Sequence, residues 1–172
     1  MNGAFVHLAL NHIPVLGVPF AFLLLLGGQF RKSQELVRAG LVALVFVALV
    51  TIPAFKSGGP AAFAVRGFPG IVRSTIHEHA EAADKGFWAL EILGALALAG
   101  LLFFRRMGGV PMIFASLMLV ASLLISGWMF RVAHLGGLIR HPEIGSGAQE
   151  AQTQATPAAE PVSSSETSKD DD

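Results

Sequence analysis

Four long apolar stretches follow one another along the chain, and polar segments separate each from the next. An α-helix needs about 20 mostly apolar residues to cross a bilayer, and all four stretches approach or exceed that length. We predict membrane-spanning helices at residues 4–28, 36–55, 87–104 and 110–133. Buried helices of a soluble protein are the alternative, but the near absence of charge inside the stretches favours membrane helices.

The segments between the spans predict how the helices pair. Short loops join the first span to the second and the third to the fourth, so each pair forms an antiparallel hairpin. Residues 56–69 are rich in Gly and Pro, which predicts a loop. The helix formers after Pro69 predict one long helix that continues into the third span, with Gly86 as its weakest point. The predicted fold class is all-α: an integral membrane four-helix bundle of two antiparallel hairpins, with an extramembrane extension of the third helix.

The composition agrees with a membrane protein. Hydrophobic residues make up 53% of the chain and charged residues 14%, with a mean hydropathy of +0.61, whereas soluble domains carry about 25% charged residues. The chain contains no cysteine. Disulfides, iron–sulfur clusters, thiolate metal sites and c-type haem attachment are therefore excluded.

The net charge of zero hides a division of the chain into two parts. Residues 1–144 carry eleven Lys and Arg against six Asp and Glu, a net +5, whereas residues 145–172 carry one Lys against six acids, a net −5. The second part is rich in small and polar residues without apolar periodicity. We therefore predict a four-helix transmembrane domain at 1–144 and a disordered acidic tail at 145–172.

The basic residues near the span ends predict the orientation. Arg31, Lys32 and Arg38 follow the first span, and Arg105 and Arg106 follow the third, both in or next to short loops that we place in the cytoplasm. The other side of the membrane carries six basic residues against these five, so the total count does not determine the orientation. We base the orientation on the first span, which has no charge before it and three basic residues after it. We predict a multi-pass membrane protein with both termini on the outer side.

All six histidines map to the same side of a four-span topology, whichever way the protein faces. They are His7, His12, His77, His79, His134 and His141. Asn11 lies four residues after His7 and shares its helix face, whereas His12 points about 140° away from His7.

Polar residues before and inside the third span form a helical stripe. Its members are His77, Glu81, Asp84, Trp88 and Glu91. An acidic residue inside a membrane span is a functional hypothesis by default. We predict that Glu91 pairs with Arg131 on the fourth span, either at a functional site or only to hold two helices together.

Three separated motifs carry a resemblance to a known family. "HLALNHIPVLG", "IHEHAEAA" and "HLGGLIRHPEI" occur in that order. With them the chain resembles a family of bacterial predicted membrane proteins of unknown function, with about four spans and outer-face histidines. The resemblance covers roughly residues 3–144 and implies fold and location but no activity. The implied location is a bacterial inner membrane, with both termini then on the periplasmic side. The positions it implies are His7, Asn11, His12, Pro14, His77, Glu78, His134, Gly136, Gly137, His141 and Pro142. His79 stands where the family more often has an acidic residue.

Two kinds of cofactor site remain open. Bundles bind haem b through histidines on different helices, and His12 would pair with His77, His79 or His134. The propionates would then meet three arginines, namely Arg73, Arg131 and Arg140. A transition metal would use imidazole and carboxylate ligands. Its candidate ligands are His12, His77, His79, Glu78, Glu81, His134 and His141. His77 and His79 diverge by about 200° on a helix and so cannot chelate one ion together.

A third possibility is a non-catalytic membrane scaffold or accessory subunit in which the polar cluster is structural and no cofactor is bound. The sequence shows no hydrolase or phosphate-loop motif, so we do not expect an enzyme. Its expected partners are the lipid bilayer and a respiratory or other membrane complex. Nucleic-acid binding is not expected, because the basic residues are scattered around the span ends.

Overall fold

The computed structural model describes residues 3–141, which fold into five α-helices. These are α1 (Gly3–Leu10), α2 (His12–Phe30), α3 (Gln34–Val65), α4 (Arg73–Phe104) and α5 (Met112–Arg140). A turn at Asn11 separates α1 from α2, and together they form one span, so the described residues hold four helices long and apolar enough to cross a membrane. The predicted all-α fold and the four spans are confirmed. The predicted acidic tail, 145–172, lies outside the described residues, as does Pro142.

The helices pack in a ring that follows their order in the chain. α2 packs against α3 and α5, α3 packs against α4, and α4 packs against α5, while α1 packs on α3. Short connections make each neighbouring pair antiparallel, which gives the predicted hairpins. We call the end formed by α1, the 66–72 connection and the last turns of α5 the histidine end. The end formed by the loops 31–33 and 105–111 is the basic end.

The inner face of α4 packs against the other helices of the bundle. Its buried residues recur every three or four positions, as expected for one face of a packed helix. They are Ala82, Gly86, Leu90, Leu93, Gly94, Ala97 and Gly100. The outward faces of the bundle carry large exposed apolar side chains such as Leu23, Phe46 and Leu124. Such a distribution is stable against lipid and costly against water.

Close helix contacts depend on the absence of side chains on α4. A Cβ added at Gly94 would overlap the Cβ of Ala48 on α3, and one added at Gly86 would overlap Met129 on α5. Small residues let helix backbones approach closely in a membrane, where dispersion contacts replace the hydrophobic effect. Gly86 therefore does not break α4, as its low helix propensity suggested, but marks a contact point with α5.

The predicted loop at 56–69 is wrong over most of its length. α3 continues through Gly58, Gly59 and Pro60 and ends only at Val65. α1 packs along this part of α3, and a Cβ added at Gly3 would come within 2.6 Å of the Pro60 Cβ. Tertiary contacts with α1 therefore override the weak local propensity.

Three helices are longer than the hydrocarbon core of a bilayer. α3 and α4 each contain 32 residues, so each is about 48 Å long against a hydrocarbon thickness of about 30 Å. The long helix predicted before the third span is thus confirmed, beginning at Arg73. α5 also runs past its predicted end at residue 133, through Gly136 and Gly137 to Arg140.

Glutamine side chains close the basic end. The Val110 N–H donates to Gln34 Oε1 at 2.8 Å, and Gln34 Nε2 donates to the Val110 carbonyl at 3.3 Å. Ser116 on α5 donates to Gln29 Oε1 on α2 at 3.0 Å. These bonds connect the two short loops and the first and last spans, so the four helix ends are held together on this side.

We expect Gly94→Ala to lower the free energy of unfolding by about 1–3 kcal/mol, because the new methyl group forces α3 and α4 apart. The measurement is reversible unfolding in mixed micelles, followed by circular dichroism. Gly127→Ala on α5 is the matched control, since a Cβ there meets nothing within 4 Å. Equal stability of the two variants would contradict the close packing of α3 and α4.

Candidate functional site

His7 enters the bundle from α1. Its Nδ1 lies 2.9 Å from the main-chain carbonyl of Ala54 on α3 and 3.4 Å from the Ser57 hydroxyl. The side chain is half-buried, and Gly58 lies beside it, with its hypothetical Cβ 3.6 Å from the imidazole Cε1. His7 therefore links α1 to the last part of α3, residues 56–65. This part stays helical because α1 packs on it.

His79 enters the bundle from α4. It is half-buried and lies three residues before Ala82, in line with the buried face of that helix. Its Nδ1 is 3.0 Å from the main-chain carbonyl of Val132 on α5. A Cβ added at Gly136 would come within 3.1 Å of the His79 Cε1, so a small residue on α5 leaves room for the ring.

The hydrogen bonds define the tautomers of both rings. A main-chain carbonyl only accepts, so Nδ1 carries the proton in His7 and in His79. In the neutral ring, Nε2 is then left with a lone pair. Within residues 3–141 neither Nε2 has a hydrogen-bond partner. Two imidazoles on different helices are thus oriented by their carbonyl partners, each with one nitrogen available.

The other four predicted histidines lie on the outside of the bundle. His12, His77, His134 and His141 are all exposed. His77 Nε2 lies 3.1 Å from Glu81 Oε1, and both side chains are more than half exposed. His12 was predicted as the haem ligand on the first span, but the inward position belongs to His7 because the two residues point in different directions from that span.

The stripe predicted on α4 faces outward. His77, Glu81, Asp84 and Trp88 are exposed, as is Glu78. The buried face instead runs through His79, Ala82 and Gly86. His77 and His79 differ by two positions, or about 200° around the helix. The packing of α4 therefore selects His79, the histidine that the motif comparison supported least.

The predicted pair between Glu91 and Arg131 does not form. The Arg131 guanidinium lies 5.3 Å from the centre of the Trp128 ring, and Trp128 Nε1 donates to the Ala82 carbonyl at 2.9 Å. Glu91 is half-buried, and its Oε1 is enclosed without a hydrogen-bond partner in the described part of the chain. Trp128 lies between α4 and α5 and offers the guanidinium a cation–π contact instead. Arg140, the last residue of α5, is exposed.

The structure does not assemble the predicted metal ligands. Among residues 3–141, no group of three or more His, Asp or Glu side chains is placed to hold a metal ion. Protein metal sites of the zinc type take at least three protein ligands.

Several contributors to the site could not be identified from the sequence. The carbonyls of Ala54 and Val132 are invisible in a residue pattern, and Ser57 showed no motif. The seven-residue spacing from His79 to Gly86, continued by Leu90 and Leu93, was the available signal for the inward face of α4. Asn11, which was predicted, has an enclosed Oδ1 without a partner among residues 3–141.

Together, the fold and the site define a multi-pass membrane protein of the four-helix class with two inward histidines at one end. Comparison with protein-family models, curated proteins and solved structures finds no match to this chain. The resemblance carried by the three motifs therefore stays a prediction.

We expect His79→Ala to lower the free energy of unfolding by about 1–3 kcal/mol, because the bond between α4 and α5 is lost and a space opens beside Gly136. His77→Ala, two residues away on the same helix, should change it by less than about 0.5 kcal/mol, since His77 is exposed. Unfolding in mixed micelles compares the two. A larger loss for His77→Ala would contradict the inward assignment of His79.

Proposed function

We propose that this protein binds haem b between His7 and His79 and serves in electron transfer at one surface of the membrane. The observation that carries the proposal is the shared hydrogen-bond geometry of the two rings. Each Nδ1 donates to a main-chain carbonyl of a neighbouring helix, which leaves Nε2 as the available nitrogen. A metal-ligating histidine characteristically donates its other ring N–H in this way, because the bond fixes both the tautomer and the ring orientation.

The surroundings of the two rings support a large planar group. Gly58 and Gly136 lie beside His7 and His79, and neither presents a side chain to the ring next to it. Phe55 follows Ala54, the carbonyl partner of His7, and stacks on Phe87 of α4 with ring centres 4.3 Å apart. Because this pair is apolar, it favours a macrocycle over a hydrated ion.

The residues of the chain would divide the work of such a site. His7 and His79 would hold the iron through Nε2, and their carbonyl partners on α3 and α5 would keep both rings in position. Arg140 lies one turn beyond Gly136 on α5, where an exposed guanidinium is suited to a propionate. Haem b supplies a one-electron carrier when bound.

A structural role is the second candidate, and the same bonds favour it. His7 links α1 to α3, and His79 links α4 to α5, so both rings brace the part of the bundle that extends beyond the bilayer. In that case the protein would be an accessory subunit of a membrane complex, with no cofactor. In the haem proposal, Nε2 of both rings binds the iron. In the structural role, Nε2 of neither ring binds a ligand.

Haem reconstitution distinguishes the two candidates. We expect the purified chain, titrated with haem b in detergent, to give a low-spin spectrum whose Soret band shifts on reduction, because two imidazoles bind the iron. His7→Ala and His79→Ala should each lose that spectrum. His12→Ala and His77→Ala are matched controls, because both side chains are exposed, and they should retain it.

The outcome that contradicts the haem proposal is also defined. A chain that gives no low-spin spectrum, while His7→Ala and His79→Ala lose only thermal stability, would establish the structural role. If His12→Ala loses the low-spin spectrum while His7→Ala retains it, the ligand on span one is His12. That result would contradict the assignment of His7.

We also propose that the protein lies in a bacterial inner membrane with the histidine end on the periplasmic side. The support is the basic character of the 31–33 and 105–111 loops, which are short and whose cationic residues are exposed. The site would then exchange electrons with a partner on the outer surface, such as a respiratory complex.

Cysteine labelling tests the orientation directly, because the chain has no cysteine of its own. Ser74→Cys lies at the histidine end, and Gly108→Cys lies in a basic-end loop where a side chain meets nothing within 4 Å. We expect a membrane-impermeant maleimide to label Ser74→Cys in intact spheroplasts, and Gly108→Cys only after permeabilisation. The reverse pattern would place the histidine end in the cytoplasm.

A further inference from the structure

The basic end carries a dense positive charge. Five cationic side chains lie in or next to its two loops, and all are exposed. They are Arg31, Lys32, Arg38, Arg105 and Arg106. Glu35 is the one carboxylate among residues 31–38 and 105–111. This end therefore presents an excess of four positive charges to the surrounding membrane surface.

The two loops that carry these cations are held side by side. Gln34 bonds both the N–H and the carbonyl of Val110, which is itself buried. Gly109 lies against the Gln34 amide so closely that a Cβ would come within 2.7 Å of its Cδ. Cations from residues 31–38 and from residues 105–106 are thus fixed on one surface, rather than on two independently moving loops.

Exposed apolar side chains lie directly next to the cations. Phe30 precedes Arg31, and it is 81% exposed. Phe103 lies two residues before Arg105 and is 71% exposed, and Ile113 at the start of α5 is 75% exposed. On the outside of a bundle in a bilayer, such side chains contact acyl chains. The basic end therefore has cationic side chains that can bind phosphate next to apolar side chains that can contact lipid acyl chains.

We propose that the basic end binds the headgroup of an anionic phospholipid, with the acyl chains packed on the adjoining apolar side chains. Arginine suits this ligand because its guanidinium donates to two phosphate oxygens at once. Because two loops held together by Gln34 both carry cations, a headgroup with two phosphates, as in a diphosphatidyl lipid, is favoured over one with a single phosphate. The inference is independent of the histidine site and goes beyond the proposed function.

Native mass spectrometry of the full chain in detergent tests the proposal. The probe is an equal mixture of diphosphatidylglycerol and phosphatidylcholine with the same acyl chains. We expect the anionic lipid to be retained preferentially. Arg105→Gln/Arg106→Gln should lower that preference roughly tenfold to thirtyfold, because each basic residue near a membrane surface contributes about fivefold in affinity. Because lipid binding is measured in detergent micelles, the result does not depend on the orientation in which the variant inserts into a cell membrane.

Matched variants separate charge from folding. Arg66→Gln/Arg73→Gln removes two exposed cations from the histidine end and should leave the preference unchanged. Arg105→Lys/Arg106→Lys should retain most of it, because the charge is kept. If Arg105→Gln/Arg106→Gln loses helicity, Arg31→Gln/Lys32→Gln on the other loop replaces it, and we expect the same reduction.

Three results would overturn the proposal. The first is equal retention of the two lipids by the unchanged protein. The second is an equal reduction by the variant at the histidine end, which would indicate a general charge effect. The third is full competition by millimolar glycerol phosphate, which would assign the site to a soluble phosphate rather than to a lipid.

Discussion

The packing of the inner face of α4 determines most of what is distinctive in this structure. Gly86 and Gly94 allow α5 and α3 to approach α4 closely, and that approach fixes the rotation of α4 about its own axis. Once the rotation is fixed, His79 points inward and His77 points outward, because two residues correspond to about 200° of helix. The position of the candidate ligand is therefore a consequence of core packing in the membrane span below it.

The first span reaches the same site by a different route. Its outer part, α1, is separated from α2 by a turn at Asn11 and packs on α3. This contact requires α3 to remain helical past Gly58 and Pro60, residues that disfavour a helix on their own. The bond between His7 and the Ala54 carbonyl connects α1 to α3. The His7 ring, which would hold the ligand under the proposed function, therefore also stabilises the contact between α1 and α3 that positions the ring.

The sequence was sufficient for the architecture but not for the site. Four apolar segments and short loops predict two antiparallel hairpins, because a bilayer leaves few alternatives for a polar backbone. The helical state of residues 56–65 was not predictable locally, since it depends on contact with α1. The predicted Glu91–Arg131 pair was wrong, and the stripe through His77 faces outward, because polar spacing does not show which helix face meets the bundle. His79, Ala82, Gly86 and Leu90 carried that signal in the spacing of small and apolar residues.

The two ends of the bundle are closed by different chemistry. At the basic end, Gln34 and Gln29 bond to groups on other segments. Between the ends, the interior is filled by apolar side chains such as Leu25, Leu41 and Leu93. Under the proposed function, electrons would therefore enter and leave at the histidine end, and the rest of the bundle would anchor that site at one membrane surface.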